Sequence, residues 1–97
     1  MTKNALETVV GGTTWTELTD DDVTVISFQV RGDDYVLVEA TTGTAPSAGS
    51  IVGYHYNAQM GAQSLALAEL WPGVTGADRV FARTETGNSV VVMVSHA

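Results

Sequence analysis

Hydrophobic and polar residues alternate in short runs from residue 13 to the end of the chain, and turn residues separate these runs. The runs recur at intervals of roughly 8 to 14 residues, a spacing typical of an all-β sandwich or barrel. We therefore predict a single antiparallel β-sandwich or barrel-like domain over residues 13–97, built from about seven short strands. The predicted strands cover residues 13–18, 23–31, 35–41, 51–56, 64–68, 79–83 and 89–95.

The first twelve residues show no clear periodicity and end in Gly11-Gly12. Terminal segments are poorly ordered unless other parts of the protein hold them in place. We predict a flexible N-terminal arm over residues 1–12. Within it, Thr8, Val9 and Val10 form a β-rich stretch that we expect to contact a partner by pairing with one of its strands.

A strong turn signal, Gly32-Asp33-Asp34, separates the second predicted strand from the third. Glycine and aspartate supply the positive φ angles and side-chain-to-backbone hydrogen bonds of tight turns, so we predict a hairpin here. On the first of its two strands, alternation places Ile26, Phe28 and Val30 on one face, and we expect that face to be buried.

The last predicted strand is apolar on both faces, because residues 90–94 read Val-Val-Val-Met-Val. A strand with two apolar faces is covered on both sides, and a chain of 97 residues has little material for this. We predict a subunit interface that contains Val91 and Met93, together with Tyr35 and Leu37 from an otherwise polar strand face. The alternative is a barrel-like closure within one chain.

Residues 62–70 fit two elements. Their alanines and leucines favour a helix, whereas Leu65, Leu67 and the alanines between them alternate as in a strand. Trp71-Pro72-Gly73 ends either element. We favour a strand followed by a short turn.

The composition supports a β fold and excludes several partners. The chain has 14 valines and 13 threonines, and β-branched residues are suited to strands. Four basic residues stand against 11 acidic ones, for a net charge of −7. This charge repels phosphate backbones and anionic membranes, so we predict neither nucleic-acid nor membrane binding. Residues 1–48 carry eight of the acids, and we expect this half to face solvent.

The chain has no cysteine, which excludes disulfides and thiolate metal sites. Its first residues lack the apolar stretch of a signal peptide, and no segment approaches the roughly 18 apolar residues of a membrane span. These features predict a soluble protein made in the cytoplasm.

The sequence shows no recognisable set of catalytic residues. The only histidines are His55 and His96, and neither has a histidine or carboxylate at ligand spacing. No serine lies in a Gly-x-Ser-x-Gly motif. We predict a protein without enzymatic activity and without a cofactor.

One metal site is an option. Asp20, Asp21 and Asp22, joined by Asp33 from a neighbouring loop, offer the clustered carboxylate oxygens that bind calcium. The alternative, which we favour, is a solvated turn that discourages edge pairing.

Aromatic residues suggest a second class of function. Tyr54 and Tyr56 share a strand face, as stacking platforms for sugars do, and Trp15 and Trp71 are also available. A carbohydrate- or receptor-binding module, such as a head-fibre or tail accessory, is therefore an alternative function. We favour packing of these aromatics in the core or in a subunit contact.

The order of turns and strands resembles the small β-sandwich virion proteins of tailed bacteriophages, which decorate capsids or form head and tail accessories. The resemblance covers residues 13–95 and rests on Trp15-Thr16-Glu17-Leu18, Asp22-Val23-Thr24-Val25, the strand pair around Gly32, Thr44-Ala45-Pro46, Gly49, Val80-Phe81-Ala82-Arg83, Gly87 and Val90-Val91-Val92. In that group, the aromatic and arginine residues of the penultimate strand precede a short hairpin that ends the chain, as Phe81, Arg83 and the Gly87 turn do here.

The resemblance implies a capsid decoration or cement protein on the outer surface of the virion. Its implied partners are the major capsid protein and further copies of itself, with a homotrimer favoured. It also implies that an arm adds a strand to the shell, as Thr8, Val9 and Val10 are placed to do.

Overall fold

The described residues form eight strands and one helical turn. The computed structural model describes residues 3–12, 14–19, 23–32, 34–47, 53–84 and 88–96. The strands are β1 (Lys3–Val10), β2 (Thr16–Glu17), β3 (Val25–Val30), β4 (Val36–Thr41), β5 (Tyr54–Tyr56), β6 (Gly61–Ala66), β7 (Arg79–Arg83) and β8 (Val90–His96), and α1 (Leu67–Leu70) follows β6. Each of the seven predicted strands overlaps one of β2 to β8.

The strands form two antiparallel sheets of four, which confirms the predicted all-β sandwich. The first sheet has the order β1-β8-β3-β6, and the second has the order β2-β7-β4-β5. Strand β1 pairs with β8, β2 with β7, β3 with β6 and β4 with β5. The chain is thus folded back on itself as one long antiparallel ribbon and rolled into two sheets, which is the topology of a jelly roll.

The core lies between the two sheets and is built from alternate residues of each strand. Ile26, Phe28 and Val30 of β3 are buried, so the predicted inward face of this strand is confirmed. Alternate valines of β8 face the same core, and β4 and β7 cover it from the second sheet. The β-branched side chains explain why these segments form strands and not helices, because such side chains pack well on a pleated surface.

The predicted hairpin between β3 and β4 is wrong. Strand β3 lies between β8 and β6 in the first sheet, whereas β4 lies between β7 and β5 in the second. The turn residues still act locally, since Asp34 Oδ1 accepts a hydrogen bond from the backbone N–H of Tyr35 at 2.8 Å, while Asp33 lies outside the described residues. They make a connection that crosses between the sheets, because β3 and β4 bury their apolar faces against each other across the core.

The terminal hairpin implied by the resemblance is absent for the same reason. Strands β7 and β8 belong to different sheets, and Gly87 lies outside the described residues. Their partners are distant in sequence, with β7 next to β2 and β4, and β8 next to β1 and β3.

The predicted flexible arm over residues 1–12 is also wrong, because Lys3–Val10 forms the edge strand β1 of the first sheet. Val10 is fully buried in the core. The following glycines are fixed as well: the N–H of Thr84 donates to the Gly11 carbonyl at 3.0 Å, and Arg83 Nη2 donates to the Gly12 carbonyl at 2.6 Å. Gly11-Gly12 therefore carries the chain from one sheet to the other.

The ambiguous segment 62–70 contains both elements. Strand β6 runs to Ala66, and a single helical turn follows at Leu67–Leu70, whose two leucines are buried. The structure thus has a strand and then a short turn. The strand covers Gly61–Ala66, where the sequence analysis predicted residues 64–68. Helix α1 has four residues, and none of the helices in the described parts of the chain is long and apolar enough to cross a membrane.

Candidate interaction surface

The outer face of the first sheet is the side turned away from the core. The register places Val9 of β1 beside Val91 of β8, and Met93 of β8 between Glu7 of β1 and Gln29 of β3. We call Val9, Val91 and Met93 the apolar stripe. Val9 is 62% exposed, the largest value among the exposed large hydrophobic residues of the described chain, and the other two are half-buried.

An ion pair crosses the apolar stripe. Glu7 lies beside Met93 on one side of β8, and the backbone N–H of Arg31 donates to the Val91 carbonyl on the other side. Arg31 Nη1 and Glu7 Oε2 are 3.4 Å apart, and both side chains are more than half exposed. Exposed pairs of this kind contribute about 0 to 1 kcal/mol, so this one adds polarity to the stripe more than stability.

The four sheet edges differ in their capacity to accept another strand. Strands β2 and β5, at the edges of the second sheet, have only two and three residues. At one edge of the first sheet, β6 carries a bulge, and bulges and short edges both protect against strand addition. The remaining edge strand, β1, has eight residues; its register with β8 shifts between Lys3 and Leu6 and is then uninterrupted from Leu6 to Val10.

The predicted partner-contact residues Thr8, Val9 and Val10 therefore lie on this open edge and not in an arm. Val9 faces outward, whereas Val10 faces the core and has no surface to offer. The role of this segment in capsid contact stays a prediction.

Of the four predicted interface residues, Val91 and Met93 lie together in the apolar stripe, and their role in a subunit contact stays a prediction. Leu37 is 1% exposed and is covered by Trp15 and Phe81 of its own chain, so the prediction that it contacts a second subunit is wrong. Tyr35 packs against that cluster and against the His55 ring, with centroids 4.8 Å apart.

The cluster of Trp15, Leu37 and Phe81 closes the outer face of the second sheet. The Arg83 guanidinium lies 5.9 Å from the centre of the Trp15 ring, and Arg79 Nη1 is 3.2 Å from Glu17 Oε2. Glu39 lies on the same face, opposite Phe81 in the register, and burial raises the pKa of its carboxyl group.

A groove indents the outer face of the first sheet between β3, β6 and β8. It consists of two adjoining depressions of about 200 Å³ and 420 Å³, both lined by Gln29, Ala62 and Gln63. Ser27, Met93 and Ser95 line the first of them, and Gln59 and Gly61 line the second. The chain contains three glutamines, and all three line this groove, which we call the amide groove.

The bulge between β3 and β6 shapes the amide groove. Ile26 pairs with Leu65 and Phe28 with Ala62, so between these pairs one residue of β3, Ser27, lies opposite two of β6, Gln63 and Ser64. The Ser64 N–H, turned away from the regular ladder, donates to Ser27 Oγ at 2.8 Å. At the far end, Gln29 Nε2 donates to the backbone carbonyl of Gln59 at 3.3 Å.

The aromatic residues do not form the flat platform that sugar stacking requires. Tyr56 is edge-on to Phe28 at 4.8 Å, and Trp15 is buried. Tyr54 and Trp71 form an edge-to-face pair at 4.9 Å at the rim of the sandwich. Burial, with a smaller effect of Tyr54, raises the pKa of the Tyr56 hydroxyl. Most of these aromatics therefore pack internally, as favoured from the sequence.

The calcium option cannot be placed, since Asp20, Asp21, Asp22 and Asp33 all lie outside the described residues. Elsewhere in the described ranges, no group of three or more histidine, aspartate or glutamate residues is arranged to hold a metal ion. His55 and His96 lie on strands of different sheets.

Comparison of the chain with protein-family models, with curated proteins and with solved structures found no match. The function proposed below is therefore inferred from the surfaces of the molecule.

Proposed function

We propose that this protein is a non-enzymatic structural protein of a tailed-bacteriophage virion, which decorates and stabilises the outer surface of the capsid. The observation that carries the proposal is the open edge of β1 beside the apolar stripe. A long, regular and uncovered edge strand is a template for pairing with another chain, and most monomeric proteins protect such edges. In this protein the bulge of β6 lies in the middle of its paired length, whereas β1 keeps a regular register from Leu6 to Val10, and no described strand pairs with its outer edge.

The attachment mode follows from this edge. A strand of the major capsid protein pairs with the outer edge of β1 and extends the first sheet, so main-chain hydrogen bonds supply affinity. The added strand covers Val9, which is 62% exposed, and brings apolar side chains onto Val91 and Met93. The sequence analysis predicted that an N-terminal arm of this protein adds a strand to the shell. In the mode proposed here, the capsid protein supplies the strand and β1 accepts it.

The fold and charge support the same proposal. Jelly rolls occur in viral capsid domains and also in lectins and cupins, so this support is an analogy of architecture and not of a site. A net charge of −7 suits the outside of a capsid, where a protein meets solvent, better than the inside, where it meets DNA.

Capsid binding and self-association are tested together. Sedimentation equilibrium of the whole chain should give about three times 10.2 kDa if the favoured trimer forms. Co-sedimentation should show saturable binding to shells assembled from the major capsid protein encoded in the same genome. A protein that is strictly monomeric and does not bind those shells would overturn the proposal.

A matched pair of variants locates the contact. Val9→Lys places a charge at the open edge, whereas Met60→Lys places the same charge at an exposed apolar residue just before β6, at the opposite edge. Both sites are exposed, so each substitution should change folding stability by no more than about 0.5 kcal/mol. We expect only Val9→Lys to reduce occupancy on the shells, and equal effects of the two variants would contradict attachment through β1.

A further inference from the structure

The amide groove has a chemical character that distinguishes it from the rest of this acidic molecule. Its polar side chains are the three glutamines together with Ser27 and Ser95, and none of its lining residues carries a charge. Met93 contributes an apolar side chain to the groove. The larger depression alone, about 420 Å³, falls within the range of roughly 300 to 1,000 Å³ that small-molecule sites occupy.

The backbone beside the groove adopts two costly conformations. Gln59 has a φ of 73° and Ser64 a φ of 48°, and these are the positive-φ residues other than glycine in the described ranges. Such conformations are strained for residues other than glycine, and they cluster at ligand sites. The two positions flank residues 60–63 and set the path that brings Gln59 and Gln63 to the same groove as Gln29.

We propose that the amide groove binds a neutral oligosaccharide. Each glutamine amide carries two N–H donors and a carbonyl acceptor, which match the hydroxyl groups of a sugar because these both donate and accept. The Met93 side chain offers contacts to the apolar C–H face of a sugar ring. An anionic ligand would find no cation in the lining, and the protein carries a net charge of −7.

An extended peptide fits this place less well than a sugar. A peptide strand on β6 needs a continuous ladder of N–H and C=O groups, and the bulge at residues 63–64 interrupts that ladder. The Ser64 N–H is already bonded to Ser27 Oγ within the chain. The groove is therefore suited to recognition by side chains.

The first test screens the intact protein on a glycan array that holds neutral, sialylated and sulfated oligosaccharides. We expect binding to neutral glycans, and the strongest of these then serves as the ligand in calorimetry and NMR. Among side-chain amides, the chain has only three glutamines and three asparagines, so their NH₂ signals are few enough to follow individually. Addition of the neutral glycan should shift the glutamine signals and leave the asparagine signals unchanged.

Variants then assign the site. Gln63→Ala and Gln29→Ala should each weaken binding about three- to tenfold, the loss of one or more hydrogen bonds. Asn57→Ala removes an exposed amide outside the groove, and Trp71→Ala removes the aromatic pair at the rim, so both should retain wild-type affinity. Thermal melting of each variant confirms that it is folded.

Three outcomes overturn the proposal: no neutral glycan bound on the array, binding that survives Gln63→Ala but is lost in Trp71→Ala, or glutamine signals that stay fixed while the glycan binds. The proposal does not rest on capsid attachment. Gln63→Ala leaves Val9 and the β1 edge unchanged, so failure to bind glycans and failure to bind capsid shells are separate results.

Discussion

Replacement of Gly61 by alanine tests the close approach of β3 and β6 that forms the amide groove. A Cβ atom at Gly61 would lie 1.9 Å from the Phe28 carbonyl oxygen and 2.8 Å from Gln29 Cα. Such contacts require at least about 3 Å, and the atoms concerned are backbone, so no side chain can rotate away. The two strands must separate by about 1 Å at this point.

The cost follows from the contacts that this separation disturbs. Overpacking of a well-packed site costs about 1 to 3 kcal/mol. Two adjoining backbone hydrogen bonds, from Val30 N to Met60 O at 2.8 Å and from Gln59 N to Val30 O at 2.9 Å, would lengthen, and each contributes about 0.5 to 1.5 kcal/mol. We expect Gly61→Ala to lower the free energy of unfolding by about 2 to 4 kcal/mol.

Urea unfolding followed by tryptophan fluorescence measures this loss, and two other glycines serve as controls. An added Cβ at Gly11 or at Gly73 meets no heavy atom within 4 Å. Each of these alanine variants should be neutral or more stable by up to about 1 kcal/mol, because alanine restricts the unfolded chain. If Gly61→Ala proved as stable as Gly11→Ala, the β3–β6 register and the groove built on it would be wrong.

Two further predictions concern the core and the second sheet. Phe28→Ala should lower the free energy of unfolding by about 3 to 5 kcal/mol, because the ring is 5% exposed and packs edge-on against Tyr56; a loss below about 1 kcal/mol in urea would refute its place in the core. Burial raises the pKa of Glu39 above its ordinary value of 4.5, so the unfolded chain ionises first and stability falls as pH rises through the interval between the two pKa values. The stability advantage of Glu39→Gln over the wild type should therefore be larger at pH 7 than at pH 4, and a constant difference between their melting temperatures would contradict this.

The positions and faces of the strands were predictable from the sequence because they depend on local pattern. Alternation identified β3 with Phe28 on its buried side, and the short run between turn residues identified β7 with the same bounds as the structure. Strand β1 was missed because its Gly11-Gly12 boundary is also typical of a hinge, and its burial depends on Val10 meeting a core that is assembled from the rest of the chain.

The choice of partner strand was not predictable from local pattern. Asp34 makes the local backbone hydrogen bond that the Gly32-Asp33-Asp34 signal suggests, but a turn signal does not determine whether the next strand joins the same sheet or the opposite one. The amide groove was not predictable for the same reason, since its residues come from β3, β6 and β8 and meet only through the topology. From the sequence alone, the sign of the groove is that Gln59 and Gln63 lie close together in the chain; Gln29 joins them only because β3 pairs with β6.

The two sheets differ in how completely the chain covers their outer faces, and this difference indicates where partners bind. On the second sheet, Trp15 covers Leu37 and Phe81, so this face is closed by its own side chains. On the first sheet, the apolar stripe and the amide groove lie side by side and share Met93, with no covering element among the described residues. Substitutions at Trp15 should therefore reduce stability, whereas substitutions at Val91 should reduce binding and leave folding nearly unchanged. The outer face of the first sheet is therefore where we expect partners to bind.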